Sequence, residues 1–445
     1  MFSPHRYSSQ PAWKKYGLAA ITLLLLGWPS VAAAANGMEI SAGDTAFIMI
    51  SAALVMLMTP GLGFFYGGMV RQKNVLGTIM QSFVVVGLIS VQWVLFGYSL
   101  AFGPDVHGLF GTLAWAGLNG VGQTPNPDYA ATIPHQVFMI FQAMFAIITP
   151  ALITGAFAER FKFSAFLLFV LLWATFVYDP IAHWVWGVGG WLRKLGALDF
   201  AGGTVVHIAS GFAALTAALI IGRRKVHPTS TILPHNTTLV LLGAGLLWFG
   251  WFGFNAGSAL AANGLAGSAF IVTNTAAAAA MLSWLLVEWI FRGKPTAIGA
   301  ASGAVAGLVA ITPASGFVGP MDAVFIGLLV SPLCFGAIQL KGKLGYDDTL
   351  DAFGVHGVGG TWGALATGLF ASTAVNPAGA NGLFYGNPAL LGIQVVAVLA
   401  TAAFSMVGTF VLVKLVDLVM GIRVEHHEEV VGLDLTQHGE AGYHM

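Results

Sequence analysis

The sequence predicts an all-α polytopic membrane protein with eleven transmembrane helices, arranged as two inverted five-helix repeats plus a final long helix. Three observations lead to this fold class. Only 8% of the 445 residues are charged and 57% are hydrophobic, whereas soluble domains carry about 25% charged residues. Uncharged segments long enough to cross a bilayer recur along the chain. Lysine and arginine fall mainly in alternate loops between these segments.

The first 35 residues differ from the rest. A basic start with Arg6, Lys14 and Lys15 precedes the short apolar run 17–28 and the small residues 31–35. This order is typical of a secretory signal peptide, and the apolar run is too short to span a bilayer comfortably. We therefore expect 1–35 to be a signal peptide cleaved near Ala35. An uncleaved N-terminal anchor is the alternative.

Eleven segments with few or no charged residues follow. Their limits are 45–69, 75–102, 135–158, 163–178, 202–222, 236–259, 266–290, 296–312, 323–340, 352–371 and 388–420. The last is long enough to tilt or to continue beyond the bilayer. The 58 glycines suit this class, because small residues let transmembrane helices approach closely. We assign 45–420 to one membrane domain and 421–445 to a polar C-terminal tail.

Charge orients the predicted helices. If the first helix starts outside the cell, twelve basic residues lie in cytoplasmic loops and only Arg193 and Lys194 lie in external loops. The twelve are Arg71, Lys73, Arg160, Lys162, Arg223, Arg224, Lys225, Arg292, Lys294, Lys341, Lys343 and Arg423. This asymmetry follows the positive-inside rule. We therefore predict a multi-pass protein of the inner (plasma) membrane with an external N-terminus and a cytoplasmic C-terminus.

Two histidines lie inside predicted helices, where ionisable groups are costly and are functional candidates by default. His207 follows Asp199 by eight residues, and His356 follows Asp348 at the same spacing. They fall in the fifth and tenth helices, so each half of the chain has five spans. Because five is an odd number, the second half would insert in the opposite orientation to the first. Inverted repeats place transport sites at their interface near the bilayer midplane. We therefore predict that the histidines meet there. The alternative is that each is a packing residue hydrogen-bonded to a backbone carbonyl.

Aromatic residues form a second group of candidates. Phe141 and Phe145 lie four residues apart and therefore on one helix face. Trp186 belongs to 183–186, which we place in a short external turn, and 248–254 is rich in tryptophan and phenylalanine. Aromatic faces attract cations by about 0.5–2 kcal/mol. They are also ordinary at bilayer interfaces and in packed bundles, so composition alone favours packing over a cation site.

Six segments carry a resemblance to a known family. They are PGLGFFYGG at 60–68, GAFAER at 155–160, DFAGGTVVH at 199–207, WFGFNAGS at 251–258, DAFGVHG at 351–357 and GLDLTQHGE at 432–440. In these segments, and over nearly all of the chain after residue 35, the sequence resembles the ammonium transporter (Amt/Mep/Rh) family on its bacterial Amt side. The segments at 199–207 and 251–258 are highly specific together.

The resemblance implies an external substrate site. Phe145, Trp186 and Ser258 match residues that recruit the ammonium ion through cation–π contacts and a hydroxyl acceptor. Phe141 and Trp251 match residues that line this entrance. Methylammonium would bind as an analogue of ammonium.

The resemblance also implies a pore below that site. Phe145 and Phe254 match a stacked pair that closes the pore, and His207 and His356 match twin histidines in its hydrophobic part. Asp199 matches a buried carboxylate that organises the entrance and assists proton handling. Ammonium would be recruited as a cation, lose a proton and cross as ammonia.

Further partners follow from the resemblance. The family forms homotrimers with one pore in each subunit, and a PII-type signal protein can bind the cytoplasmic face. We expect no cofactor and no metal. We also expect no nucleic-acid partner, since acidic and basic residues balance at 18 each. The chain departs from the family pattern at Asp179, where a charge replaces an uncharged residue. Its role stays open, as does that of 425–429, which is typical of a solvated amphipathic stretch.

Three other functions remain as alternatives. An ammonium sensor would share the fold, and an ion-coupled secondary transporter of another small substrate would need polar midplane residues that the spans mostly lack. A membrane enzyme is disfavoured, because no nucleophile–base pair or nucleotide-binding loop stands at motif spacing. His207 and His356 could ligate a metal, but no third ligand is evident nearby.

Overall fold

The computed structural model describes residues 39–225 and 233–443, so the predicted signal peptide at 1–35 lies outside the described residues. Eleven long helices lie close to the eleven predicted spans. They are α1 Ala42–Met69, α2 Gln72–Phe102, α3 His135–Phe157, α4 163–186, α5 Gly203–Ile221, α6 Thr237–Gly257, α7 Gly264–Arg292, α8 Ala297–Ile311, α9 Pro320–Leu344, α10 353–370 and α11 Pro388–Met420. Nine of these, all but α8 and α10, are long and apolar enough to cross a membrane. The predicted all-α membrane fold is confirmed.

Short elements occupy the connections and the tail. Strands β1 Asp105–Val106 and β2 Phe110–Gly111 pair antiparallel in the long connection between α2 and α3. A short helix, Trp191–Leu195, follows α4. The tail contains α12 His426–Val431 and one π-helical turn, Asp434–His438. Two 3-10 turns, Leu113–Leu118 and Leu383–Tyr385, complete the connections.

Hydrogen bonds between connections show which connections lie at the same end of the bundle. One end, called here the basic end, holds the connections that carry Arg71, Arg160 and Arg224, and the tail residue Arg423. There the Lys162 and Val424 amides bond across to the Ile422 and Arg160 carbonyls. The other end, called the opposite end, joins the connections at 103–134, 187–202, 312–319 and 371–387.

The fourth helix extends further than predicted. The sequence analysis ends it at Tyr178 and places 183–186 in a turn, but the helix continues through Asp179–Trp186. A π-helical turn, Ala174–Tyr178, precedes Pro180, so the Asp179 amide bonds to Ala174 five residues back. This wider turn accommodates a proline, which lacks an N–H and crowds the carbonyl four residues before it. Trp186 therefore sits on a helix end.

The two histidine-bearing helices begin alike. α5 starts with the π-helical turn Gly203–Ile208 and α10 with Phe353–Gly357. An aspartate upstream of each accepts backbone N–H groups of the first turn: Asp199 for α5 and Asp348 for α10. α5 begins at the opposite end and α10 at the basic end, as expected for inverted repeats. The equal Asp-to-His spacing thus reflects two equivalent helix starts.

Glycine lets these helices touch. A β-carbon at Gly211 of α5 would collide with the backbone of Gly357 in α10, and one at Gly360 would meet the His207 side chain. Without side chains at these positions, the backbones approach closely enough for the two histidines to face each other.

The tail is packed rather than solvated along its length. Glu425 and its two histidine neighbours are exposed, but Glu429 is fully buried. The Glu429 carboxylate accepts the Lys225 amide and pairs with Arg423, both at 2.8 Å. The interpretation of 425–429 as a solvated stretch is therefore wrong for Glu429, because this carboxylate pairs with nearby Arg423 and accepts the amide of Lys225, which is distant in sequence.

Candidate functional site

A cavity at the opposite end leads towards the middle of the bundle. It measures about 610 Å³, including its open mouth, and is called here the vestibule. Phe145 of α3, Trp186 of α4 and Ser258 at the end of α6 line it. The Phe145 and Trp186 rings meet edge to face with centroids 5.8 Å apart. Three residues assigned to substrate recruitment from the sequence therefore share one cavity.

Backbone hydrogen bonds fix the polar groups of the vestibule. The Trp186 indole N–H donates to the Asp199 carbonyl at 2.9 Å, which sets the plane of the indole ring. The Ser258 hydroxyl donates to the Phe254 carbonyl at 2.8 Å. A hydroxyl that has used its proton keeps lone pairs that can accept. Ser258 can therefore accept an N–H from a cation that lies against the aromatic rings.

Two phenylalanines separate the vestibule from a second cavity. The rings of Phe145 and Phe254 pack with centroids 4.3 Å apart, and both side chains are buried. Phe145 lines the vestibule, whereas Phe254 lines the cavity behind it. The pair thus lies between the two cavities and fills the space that separates them.

The second cavity, called here the pore cavity, measures about 430 Å³ including any space open to solvent. Most of its lining is apolar, from residues such as Leu62, Ile148 and Val355. Its polar members are Tyr66, His207, Trp251, Asp351 and His356. An apolar lining of this kind strongly disfavours an unpaired ion.

His207 and His356 face each other in the pore cavity. Their Nδ1 atoms are 3.3 Å apart, and the rings are nearly parallel with centroids 5.3 Å apart. One Nδ1 must donate and the other accept, so the two rings hold different tautomers when both are neutral. His207 Nε2 has no hydrogen-bond partner within residues 39–225 and 233–443. The two predicted histidines therefore meet. His356 Nε2 makes no hydrogen bond within the described residues either, so both Nε2 atoms are left for a solute.

Phe141 and Trp251 do not line the vestibule. Phe141 is fully buried and packs edge to face on Phe145, with ring centroids 5.0 Å apart. Trp251 lies on the pore side, stacked on His207 at 5.3 Å. It precedes Phe254 by three residues on α6, which places it nearly one turn closer to the basic end. The Trp251 indole donates to the Thr312 hydroxyl at 2.8 Å, which holds it against the histidine.

Asp199 organises the start of α5 above the histidines. One carboxylate oxygen accepts the amides of Gly202 and Gly203 at 2.8 and 2.6 Å. The other accepts the amides of Thr204 and Val205 at 2.8 and 3.3 Å, and the Thr204 hydroxyl. A carboxylate at a helix N-terminus also interacts favourably with the helix dipole. The Asp199 carboxylate thus accepts hydrogen bonds from backbone N–H groups. It lies four positions before Gly203, where the turn that carries His207 begins.

We expect Asp199→Asn to lower the free energy of unfolding by about 1.5–3 kcal/mol, because the amide nitrogen of asparagine would face backbone donors. Transport should fall as well, since the turn that holds His207 loses its anchor. Thermal unfolding in detergent and uptake of methylammonium measure the two effects. Asp348→Asn is the matched comparison, with a smaller loss, because Asp348 accepts only two backbone amides at the start of α10. A wild-type unfolding temperature for Asp199→Asn would contradict the anchoring role.

Asp179 lies away from both cavities. It is fully buried between α4 and α2, where its Oδ2 accepts the Gln92 amide N–H at 2.8 Å. Its Oδ1 has no partner among the residues that the structure describes. It lines neither the vestibule nor the pore cavity. Sequence reasoning found the residue but not its surroundings, because Gln92 is 87 positions away.

Two cavities separated by a pair of aromatic rings inside the membrane bundle of one chain are typical of a membrane transport protein. The chain belongs to the Ammonium Transporter Family, whose sequence model matches residues 46–443.

Individual relatives agree with this membership. The Ammonium transporter of Bacillus subtilis is 58% identical over 402 residues, which cover 90% of this chain and 98% of that protein. The crystal structure of Candida albicans Mep2 superposes with a TM-score of 0.83 at 36% identity, covering 91% of each chain. A structure titled Sensor Amt Protein has a TM-score of 0.82 at 31% identity, covering 89% of this chain and 98% of that one.

Proposed function

We propose that this protein transports ammonium across the membrane by recruiting NH4+ in the vestibule, removing a proton and conducting NH3 through the pore cavity. The observation that carries the proposal is the pair His207 and His356, hydrogen-bonded in an apolar cavity behind two closed phenylalanines. Membership of the family and the names of its curated relatives support ammonium as the substrate.

Recruitment as a cation is supported by the chemistry of the vestibule. The Phe145 and Trp186 rings offer aromatic faces and edges, and Ser258 offers a hydroxyl acceptor. An aromatic face stabilises a cation by about 0.5–2 kcal/mol, depending on desolvation. These groups suit a small cation that also donates hydrogen bonds. Ammonium has both properties.

Energetics favour ammonia as the species that crosses the pore cavity. An unpaired ion in an apolar medium costs tens of kcal/mol in the idealised limit. If ammonium loses its proton as a lysine does, with a pKa of about 10.4, deprotonation at about pH 7 costs roughly 4–5 kcal/mol. Sodium and potassium cannot lose charge in this way. The neutral imidazoles of His207 and His356 can offer ammonia a donor and an acceptor, or relay the proton left behind.

We expect the double variant Ser258→Ala, Trp186→Leu to raise the half-saturating concentration for methylammonium about tenfold, because it removes the hydroxyl acceptor and one aromatic face. Flux of ammonia gas through proteoliposomes should stay at the wild-type level, since a neutral solute needs no cation site. Radiolabelled uptake and stopped-flow pH recording measure the two quantities. An unchanged concentration dependence of uptake would count against the recruiting role.

The assembly and placement that we propose follow the sequence and the family resemblance. The protein would lie in the inner membrane with the opposite end external and the basic end cytoplasmic, after removal of a signal peptide at 1–35. It would form a homotrimer with one pore per subunit, and a PII-type protein would bind the basic end. The basic residues gathered at that end support this orientation through the positive-inside rule.

A sensor of ammonium is the second candidate function. The likeness to the structure titled Sensor Amt Protein favours it. The identity of 58% to the Ammonium transporter of Bacillus subtilis favours transport more strongly. Current recorded from proteoliposomes under an ammonium gradient, together with uptake, separates the two functions, because a sensor would bind ammonium without net flux.

A further inference from the structure

The vestibule contains a polar side chain to which neither the sequence nor the proposed mechanism gives a task. Gln142 lies on α3 between Phe141 and Phe145 and lines the vestibule beside Trp186 and Ser258. Only 9% of the residue is exposed. Its amide oxygen has no hydrogen-bond partner in the parts of the chain that the structure describes.

An acceptor in this position needs a donor. A buried polar group that lacks a partner costs about 1–3 kcal/mol, and native proteins rarely leave one without a functional reason. The neutral donors that line the vestibule are engaged elsewhere. The Trp186 indole, the Tyr129 hydroxyl and the Ser258 hydroxyl each donate to a backbone carbonyl. Arg193 is exposed and donates to the Trp186 carbonyl.

We propose that Gln142 is a further positioning residue for ammonium in the vestibule, where its amide oxygen accepts one N–H of the cation. The inference rests on the proposed recruiting function of the vestibule. The ammonium ion directs its N–H groups to the corners of a tetrahedron, so it can bond several acceptors at once. Ser258 supplies one acceptor from the end of α6, and Gln142 supplies a second from α3. Acceptors on two helices orient the ion against the aromatic rings.

The side-chain oxygen of Gln142 can be removed or kept by substitution. Gln142→Leu removes the acceptor, and we expect the half-saturating concentration for methylammonium uptake to rise about tenfold. Gln142→Glu keeps an oxygen in the same place and should restore a half-saturating concentration at or below the wild-type value. The maximal rate of uptake and the flux of ammonia gas should stay unchanged in both variants. If Gln142 were needed only for packing, its loss would not raise the half-saturating concentration while leaving the maximal rate and the ammonia flux unchanged. Glutamate would then not restore the wild-type value.

Three further variants belong in the same assay. Gln81→Leu is the matched control, because Gln81 is also buried with an amide oxygen that lacks a partner in the described chain, but it lines a separate cavity near the tail. It should keep the wild-type half-saturating concentration. Ser258→Ala reports on the vestibule itself. Gln142→Met, which also lacks an oxygen, replaces the leucine variant if size-exclusion chromatography shows that the latter does not fold.

The outcomes distinguish the role of Gln142 from the recruitment of ammonium in the vestibule as a whole. A raised half-saturating concentration in Gln142→Leu that glutamate restores supports the inference. A wild-type value in Gln142→Leu alongside a raised value in Ser258→Ala overturns the role of Gln142 alone. Wild-type values in both variants overturn recruitment in the vestibule. A raised value in both Gln142→Leu and Gln142→Glu assigns the residue to packing and overturns its role as an acceptor.

Discussion

Uptake of methylammonium is expected to fall at least tenfold when His207 and His356 are both replaced by alanine, while the folded protein is retained. The two rings bond each other with Nδ1 atoms 3.3 Å apart and supply the hydrogen-bonding nitrogens at this point of an apolar cavity. Without them, a solute that has left water loses the two imidazole groups that can exchange hydrogen bonds with it. The loss of two hydrogen bonds of about 1 kcal/mol each in the conducting state corresponds to about 2 kcal/mol, or roughly thirtyfold in rate.

Radiolabelled uptake and proteoliposome currents under an ammonium gradient measure this effect, and size-exclusion chromatography checks the fold. His427→Ala is the matched control, because His427 is exposed in the tail and pairs with the exposed Glu425. The two single alanine variants test the contribution of each imidazole separately. His207→Ala and His356→Ala each remove one ring whose Nε2 makes no hydrogen bond within the described chain, so we expect a partial loss from each. Wild-type uptake by the double alanine variant would refute the conducting role.

Local pattern predicted most of the fold. Eleven apolar segments became eleven helices, because a bilayer requires long uncharged runs with internally satisfied backbone groups. The equal spacing from Asp199 to His207 and from Asp348 to His356 indicated a repeat, and each aspartate accepts N–H groups at the start of its helix. Such a signal is readable because the capping residue and the capped turn are close in sequence.

Features that depend on distant contacts escaped prediction. Trp251 was placed at the entrance through the family resemblance, but its position on α6 puts it against His207. The extension of α4 past Asp179 depends on a π-helical turn for which the sequence has no clear signal. The acceptor at Gln142 could be recognised only once helices and connections from distant parts of the chain had formed the vestibule. Hydrophobic periodicity reports which residues are buried, but not which partners they meet.

Replacing Arg224 by alanine is expected to destabilise the protein by about 3–5 kcal/mol, because two buried carboxylates lose their shared cation. Arg224 donates to Glu159 at 2.8 Å and to both oxygens of Asp347 at 2.9 and 3.0 Å. Burial raises the pKa of the Asp347 carboxyl, but hydrogen bonds from Arg224 and the charges of Arg160 and Arg224 outweigh it and hold the pKa at about 2. Burial likewise raises the pKa of Glu159, and bonding and charge from Arg71 and Arg224 bring it below its usual value.

The pH dependence of this effect has a definite sign. Carboxyls with a lowered pKa in the folded state stabilise it fully above their unfolded pKa values of about 3.9–4.3, and this contribution is lost as the pH falls towards about 2. In Arg224→Ala the same carboxyls lose their partner and take up protons more easily. The difference in unfolding temperature between wild type and variant should therefore be largest near pH 7 and shrink below about pH 4.

Thermal unfolding in detergent across that pH range tests the prediction for Arg224. Arg223→Ala is the matched control, because this neighbouring arginine is exposed and donates to the Gly345 carbonyl rather than to a carboxylate. Its loss should cost less than about 1 kcal/mol at every pH. Arg224→Lys keeps the charge but not the planar fork that reaches Glu159 and Asp347 together, so it should fall between the two. Equal unfolding temperatures for the two alanine variants would mean that solvent or other groups compensate the carboxylates. The connections from α3, α5 and α9 would then be joined at the basic end by packing rather than by charge.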